Sequence, residues 1–272
     1  MKKNSIFIIL GNHLYNPRLY LNHYLDMDFY MSEDYGLCTY RKHHKFKILY
    51  TLSSMRSFRD ELCKLGATVH YFPIEEKEFK ENYIFKLSKF AKKNKYSELV
   101  FFEIEDKFFE KEINKLKSDF KITYLKSPMF LFSRNEFADF VKEKKPFMGT
   151  FYKHSRIKNN ILIKDNKPEG GKWSFDEDNR KKMPKNTQIP NIFKCEKSKH
   201  TLSLIPMINK EFASHVGNLK YFWIPTSRKD AMLFLNNFIK NKFYLFGDYE
   251  DAISKQDDFL FHSALSPILN SG

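Results

Sequence analysis

Cysteine is scarce in this chain: its 272 residues hold three, Cys38, Cys63 and Cys195, and no two of them form a C-x-x-C pair. That spacing offers neither a zinc site nor a disulfide framework, and it fits a reducing cytoplasm. Long apolar runs are lacking too. Ile6 to Leu10, behind Lys2 and Lys3, is too short for the core of a secretory leader, and no run approaches the roughly 20 residues that span a bilayer. No membrane partner is expected. A G-x-G-x-x-G after the first apolar run is also absent, so the pyrophosphate cradle of a nicotinamide-dependent dehydrogenase is missing. Acidic residues are in deficit, with 33 Asp and Glu against 47 Lys and Arg, a formal charge of +14. The imbalance points to an anionic partner, usually nucleic acid, because neutralised phosphates release counterions. Part of the Lys excess accompanies an abundance of Asn, Ile, Phe and Tyr of the kind an AT-rich coding sequence gives, which discounts the inference.

What is present is a globular composition, 42% hydrophobic, enough for one large core or two modest ones. Ser5 to Leu10, ended by Gly11, and Phe29 to Met31, ended by Ser32 and Glu33, read as buried strands. From Lys45 to Lys64 the residues Ile48, Leu49, Leu52, Met55, Phe58 and Leu62 recur three and four apart, and Gly66 follows where a helix end prefers glycine. Strands at Thr68 to Phe72, Leu99 to Phe102 and Lys121 to Leu125 then alternate with helices at Lys77 to Lys93 and Lys107 to Lys117. Such alternation predicts an α/β fold, a Rossmann-like parallel sheet flanked by helices, over residues 1–130. Ligands of these sheets sit at the carboxyl ends of the strands, which here carry Gly11-Asn12-His13, Ser32-Glu33 and Glu103-Ile104-Glu105-Asp106.

Beyond Ser127 the alternation stops. Ser133 and Glu136 have capping-box spacing for a helix from Arg134 towards Lys144, ended by Pro146. A second helix, Phe151 to Ile163, gathers Lys153, His154, Arg156 and Lys158, which is either a solvated face or a phosphate-contacting patch. Lys182 to Ser203, with Pro184 and Pro190, reads as a linker. Residues 131–203 are thus taken as connecting helices and interdomain linker. In residues 204–272, Thr226 and Ser227 offer caps to a helix with the stripe Ala231, Phe234, Leu235, Phe238 and Ile239, the first helices of an all-α domain. The adjacent His43 and His44 point to different sides of a helix and make no i, i+4 metal pair. Trp173 reads as a packing anchor.

Several blocks in a fixed order carry a resemblance. Gly11-Asn12-His13-Leu14 stands where a Gly-Asp-Gln-Leu turn is the pattern, with the Asp and Gln replaced. Glu33 follows the second strand, and Tyr40, His43, His44 and Lys47 precede Ser53-Ser54-Met55-Arg56. Pro168-Glu169-Gly170-Gly171-Lys172-Trp173 runs on to Asn179-Arg180. Phe246-Gly247-Asp248-Tyr249-Glu250-Asp251-Ala252 comes later, Pro225-Thr226-Ser227-Arg228 lies between, and the chain closes on Phe261-His262-Ser263-Ala264-Leu265-Ser266-Pro267-Ile268-Leu269-Asn270. In this order the blocks resemble the prokaryotic cryptochrome/photolyase-related family, the iron-sulfur bacterial cryptochromes and (6-4) photolyases, over its amino-terminal portion.

The resemblance implies a deoxyribodipyrimidine photolyase-related or cryptochrome-like protein, a flavoprotein lyase repairing pyrimidine dimers in DNA by light. FAD would sit in an all-helical carboxyl-terminal domain, and a lumazine-type antenna in the α/β domain. Gly11, Asn12, His13, Leu14 and Glu33 are the expected antenna contacts; His262, Ser263 and Ser266 are the expected first contacts on the phosphate or ribityl side of FAD. The family's 4Fe-4S cluster would have its cysteine ligands beyond Gly272, along with the remaining flavin-binding helices and the catalytic residues. The chain is therefore expected to be a truncated portion, inactive alone, completed by a further or separately encoded FAD domain, and binding DNA weakly and without lesion preference. The alternative is a catalytically inactive stand-alone module that binds a chromophore or DNA. An adjoining reading frame rich in Leu and clustered Cys would separate the two.

Overall fold

Five parallel strands form the centre of the fold in the order β3-β2-β1-β4-β5, namely β1 (Ser5–Ile8), β2 (Asp28–Ser32), β3 (Val69–Phe72), β4 (Glu98–Phe102) and β5 (Lys121–Leu125). The computed structural model describes residues 4–143, 145–184, 186–255 and 257–272. Register is set with Ile6 beside Asp28 on one side and Leu99 on the other. Because side chains alternate across a strand, Phe7 and Ile9 enter one core with Phe29, Met31, Val100 and Phe102. Ile6 and Ile8 enter the other with Tyr30, Leu99 and Phe101. The sheet is buried on both faces, as expected of an all-parallel sheet. Strands β1 to β3 run outward one way and β4 to β5 the other, so the strand order reverses between β1 and β4.

Helices α1 (Pro17–Tyr24) and α3 (Lys45–Lys64) bury Tyr20, Leu49, Leu52 and Phe58 in the first core. Helices α4 (Tyr83–Lys93) and α5 (Lys107–Asn114) cover the second with Tyr83, Leu87, Ala91 and Ile113. Between β2 and α3 lies the single-turn helix α2 (Tyr35–Thr39), capped by the Asp34 carboxylate, which accepts from the Leu37 amide at 2.8 Å. The bounds of α3 coincide with the apolar periodicity. Its end is fixed by Gly66, at φ +92°, whose amide donates to the Cys63 carbonyl at 3.0 Å while the Ala67 amide donates to that of Leu62, also at 3.0 Å.

Other expected helices end differently, each for a local reason. The helix anticipated over Lys77 to Lys93 is broken, because Asn82 stays extended and its side-chain oxygen accepts from the Ile84 amide at 2.9 Å, starting α4 afresh. The helix anticipated over Lys107 to Lys117 relaxes after Asn114 into a 3-10 turn, Lys115–Ser118. That anticipated over Phe151 to Ile163 is α7 (Met148–Lys158), terminated where Asn160 takes φ +51°; Ile163–Lys164 then pairs antiparallel with Lys167–Pro168, as β6 and β7. Part of the stretch read as linker is helical: α8 (Lys199–Glu211) starts at Ser198, whose hydroxyl accepts from the Thr201 amide at 3.2 Å. Helix α8 packs along α3, with Ser53 and Thr201 hydroxyls 2.7 Å apart.

The chain divides into two compact units. The α/β unit comprises the residues up to Met129, Lys194–Phe234 and Leu265–Gly272; the second comprises Phe130–Phe193 and Leu235–Ala264. In the second unit α6 (Arg134–Glu143) opens with the reciprocal capping box read from the sequence: the Ser133 amide donates to Glu136 Oε2 at 2.7 Å, and the Glu136 amide to Ser133 Oγ at 3.2 Å. Phe137 and Phe140 of α6 meet Phe151 of α7, each with ring centroids 5.1 Å apart. Helix α9 (Arg228–Asn241) runs through the division, followed by α10 (Phe243–Tyr249) and, back in the first unit, α11 (Ser266–Leu269).

Candidate functional site

A cavity of about 760 Å³ opens at the carboxyl ends of β1, β2 and β4, entirely within the α/β unit. It occupies the point where the strand order reverses, the usual ligand crevice of such sheets, and its volume is in the range of small-molecule pockets. Leu10, Gly11 and Asn12 come from the end of β1, and Ser32, Glu33 and Asp34 from the end of β2. Ile104, Asp106 and Phe109 follow β4, while Tyr50, Thr51 and Met55 come from α3. Ser266, Pro267, Asn270 and Ser271 contribute a further wall, and Cys38, His43 and Tyr83 are also among the lining residues.

Gly11 lets α3 approach this closely: a Cβ there would lie 2.9 Å from Thr51 Cγ2 and 3.2 Å from Met55 Sδ. Asn12 lines the cavity and donates from Nδ2 to Glu105 Oε2 at 3.2 Å. The next two residues are not among the lining ones. His13 is fully buried, with Nε2 3.0 Å from Glu105 Oε2 and its ring stacked on Tyr15, and its backbone carbonyl accepts the Tyr20 hydroxyl. Leu14 belongs to the core. Burial would raise the Glu105 carboxyl, but hydrogen bonds from His13 and Ser127 outweigh it and hold the group below its ordinary range.

Glu33 lines the cavity with its carboxylate already engaged. Oε1 accepts from Arg56 Nε and from the Tyr71 hydroxyl, both at 2.6 Å, and Oε2 accepts from Arg56 Nη2 at 3.0 Å and from the Ile74 amide at 2.7 Å. Burial works against the Arg56 charge, yet Glu33 and Glu75 more than compensate, and its pKa is raised. Glu33 therefore shapes the site by fixing Arg56 and the end of β3. Beside it Lys86 Nζ meets Asp34 Oδ2 at 2.8 Å and donates to the Glu33 carbonyl at 2.9 Å, another buried ion pair. Burial, then the charges of Asp34 and Glu33, push the Cys38 thiol up to about 12, so this cavity-lining cysteine is a thiol and not a nucleophile at neutral pH.

Two polar atoms in the cavity's lining residues lack a protein partner among the described residues: the Tyr83 hydroxyl and His43 Nε2. Both are shielded from solvent. Burial, then Lys47, His215 and Arg41, lower the His43 pKa, keeping a neutral imidazole beside the cavity. His44 caps α3, its Nδ1 accepting from the Phe46 amide at 3.1 Å. Sequence reasoning missed Tyr83, Asp34 and Tyr50. Of these only Asp34, next to Glu33 at a strand end, carried a visible signal.

The residues expected to contact flavin are divided between the two units: Ser266 lines the α/β cavity, whereas His262 and Ser263 belong to the second unit, where His262 Nδ1 accepts from the Ala264 amide at 2.8 Å. Among the described residues no three His, Cys, Asp or Glu side chains converge as a metal cage, and no helix is long and apolar enough to cross a membrane. In the cationic group on α7, Arg156 is buried and donates to the carbonyls of Leu162 at 2.6 Å, Trp173 at 2.8 Å and Ile161 at 3.3 Å. It anchors the loop carrying Trp173, whose ring lies 4.8 Å from Lys153 Nζ.

Comparison with known proteins agrees with this architecture. The chain is 28% identical over 237 residues to a (6-4) photolyase of Agrobacterium fabrum, covering 86% of this chain and 47% of that protein. It is 38% identical over 69 residues to an uncharacterized protein of Acanthamoeba polyphaga mimivirus, covering 24% of this chain and 35% of that one. The chain thus spans about half the length of the photolyase, or less, in the relatives it matches. The family model for deoxyribodipyrimidine photo-lyase-related proteins matches residues 7–224, from β1 through the cavity-forming elements to the residues before α9, and the chain belongs to that photolyase- and cryptochrome-like family.

Proposed function

We propose that this chain is the amino-terminal, chromophore-holding portion of a light-driven photolyase- or cryptochrome-type protein, and that its cavity takes a lumazine-type antenna. The observation that carries the reading is the cavity itself, about 760 Å³ at the strand-order reversal, walled by apolar groups with few polar ones. A lumazine, when bound, would supply light absorption and pass its excitation to FAD in the complete protein, where electron donation to a pyrimidine dimer would follow. The chain's own part is to enclose and orient the ring system. Gly11 permits the close approach of α3, Asn12 and Asp34 offer polar contacts, and the Glu33–Arg56 pair keeps the strand ends rigid. A polar ligand atom within reach of the Tyr83 hydroxyl or of His43 Nε2 would supply the hydrogen-bond partner that each lacks among the described residues. Contact with DNA rests on the charge of +14 and is proposed as weak and indifferent to lesions, because phosphate contacts carry no sequence information.

The test is a fluorescence titration of the purified chain with 6,7-dimethyl-8-ribityllumazine. Saturable quenching or a spectral shift at one ligand per chain is expected, weakened by Asn12→Ala. An unchanged ligand spectrum at micromolar protein would sink the reading.

A further inference from the structure

We infer that residues 265–272 are a latch on this cavity, so that a bound ligand is held in part by the segment that follows the second unit's last residues in sequence. The inference rests on the reading of the cavity as a ligand site and adds which part of the chain controls occupancy.

Three observations carry it. Ser266, Pro267, Asn270 and Ser271 form a wall of the cavity, which is incomplete without them. Among the described residues the segment is fastened by two bonds, to Tyr50 of α3 and to Leu14 beyond β1. The Ser271 hydroxyl donates to the Ile268 carbonyl at 2.9 Å, which leaves its oxygen to accept from the Tyr50 hydroxyl at 2.5 Å, and the Ser271 carbonyl accepts the Leu14 amide at 2.8 Å. Both partners in the hydroxyl contact are shielded, Ser271 at 9% and Tyr50 at 7% exposure, so water competes poorly for it. The rest of the segment is lightly held. Helix α11 is a single turn with Pro267 in it, Leu269 is exposed, and Ser266 and Asn270 face solvent on their outer sides.

A wall held by two hydrogen bonds and one short turn is easily opened, and ligand exchange has its simplest route there. Ligand and segment are then thermodynamically linked: whatever docks the segment tightens the ligand, and the ligand protects the segment in return. Since Leu265 directly follows Ala264, the last residue of the second unit, a change in that unit can reach the cavity through the chain itself.

The experiment compares lumazine affinity and release rate in the full chain, in Tyr50→Phe, in Ser271→Ala and in the double variant, with hydrogen exchange of 265–272 recorded with and without ligand. Tyr50→Phe removes the hydroxyl contact, and Ser271→Ala removes it together with the bond to the Ile268 carbonyl; each is expected to raise the Kd about tenfold or more, mostly through faster release. The double variant is expected to be no weaker than Ser271→Ala alone, because Tyr50→Phe then has no contact left to remove. Amides of 265–272 should exchange more slowly when the ligand is saturating. Singles that bind within twofold of the parent chain, additive losses in the double variant, or exchange indifferent to ligand would each overturn the latch while leaving the ligand site intact. A parent chain that binds no lumazine would overturn both readings.

Discussion

Arg56 and Glu33 form a bidentate pair, with guanidinium nitrogens 2.6 and 3.0 Å from the two carboxylate oxygens and side-chain exposures of 8% and 0%. Glu33, which the sequence offers as a ligand contact, lines the cavity with its carboxylate oxygens held by Arg56, Tyr71 and the Ile74 amide.

Removing Arg56 leaves that carboxylate buried and unpaired. Arg56→Ala is expected to cost about 3–5 kcal/mol in urea unfolding. A loss below about 1 kcal/mol would show that Tyr71 and the Ile74 amide suffice.

Tyr83 presents the opposite case, a phenol 4% exposed whose hydroxyl has no protein partner among the described residues. Burial, then Tyr30 and Asp34, raise its pKa, so it stays neutral. Tyr83→Phe should leave the stability of the ligand-free chain unchanged or raise it by about 1 kcal/mol, since an unsatisfied buried group is removed. A clear drop in the unfolding midpoint would reveal a hydrogen bond formed in solution.

Glu98 begins β4 and ties its neighbours together, accepting from Thr123 Oγ1 at 2.6 Å, Ser5 Oγ at 2.8 Å and Lys121 at 2.9 Å. The Thr123, Lys121 and Ser5 contacts hold its carboxyl down to about 2. A depressed folded pKa contributes stability above the unfolded value, and this is lost as pH falls through the carboxylate range towards 2. Acid unfolding followed by circular dichroism should therefore begin at higher pH in the parent than its Glu98→Gln variant would show relative to its own neutral-pH stability. Identical pH slopes between pH 5 and 3 would count against the tie.

Duplex DNA binding should fall steeply with salt and be equal for intact and dimer-containing duplexes, measured by fluorescence anisotropy across about 50–200 mM salt. Tighter binding to the damaged duplex would contradict the lesion-indifferent reading.

How far the sequence revealed all this varies by element. Helix α3 was legible because Ile48, Leu52, Met55 and Phe58 form one apolar stripe, but its second buried face, Ser53 against Thr201, is polar and leaves no periodic mark. Helix α8 was hidden by Pro206 inside it and by the Lys- and Asn-rich stretch before it, although Leu204 and Ile208 are fully buried. At the site, Gly11, Asn12 and Glu33 followed from the strand-end rule. That Ser266 lines the same cavity leaves no mark in the sequence, because more than 250 residues separate it from the end of β1. His13 illustrates the remaining limit: it is polar and sits in a ligand turn, yet it is fully buried against Glu105.

The discontinuity of the α/β unit bears on how the chain is made. By the time β5 has left the ribosome all five strands exist, but the helix that covers the hydroxyl face of α3 starts only at Lys199, and the segment that closes the cavity only at Leu265. At about 5–20 residues per second, the nascent sheet waits several seconds with Ser53, Leu49 and their neighbours incompletely covered. A chaperone that shields this face during synthesis would act in that interval, and a stalled or prematurely released chain ending before Lys199 would present the same surface to other such chains.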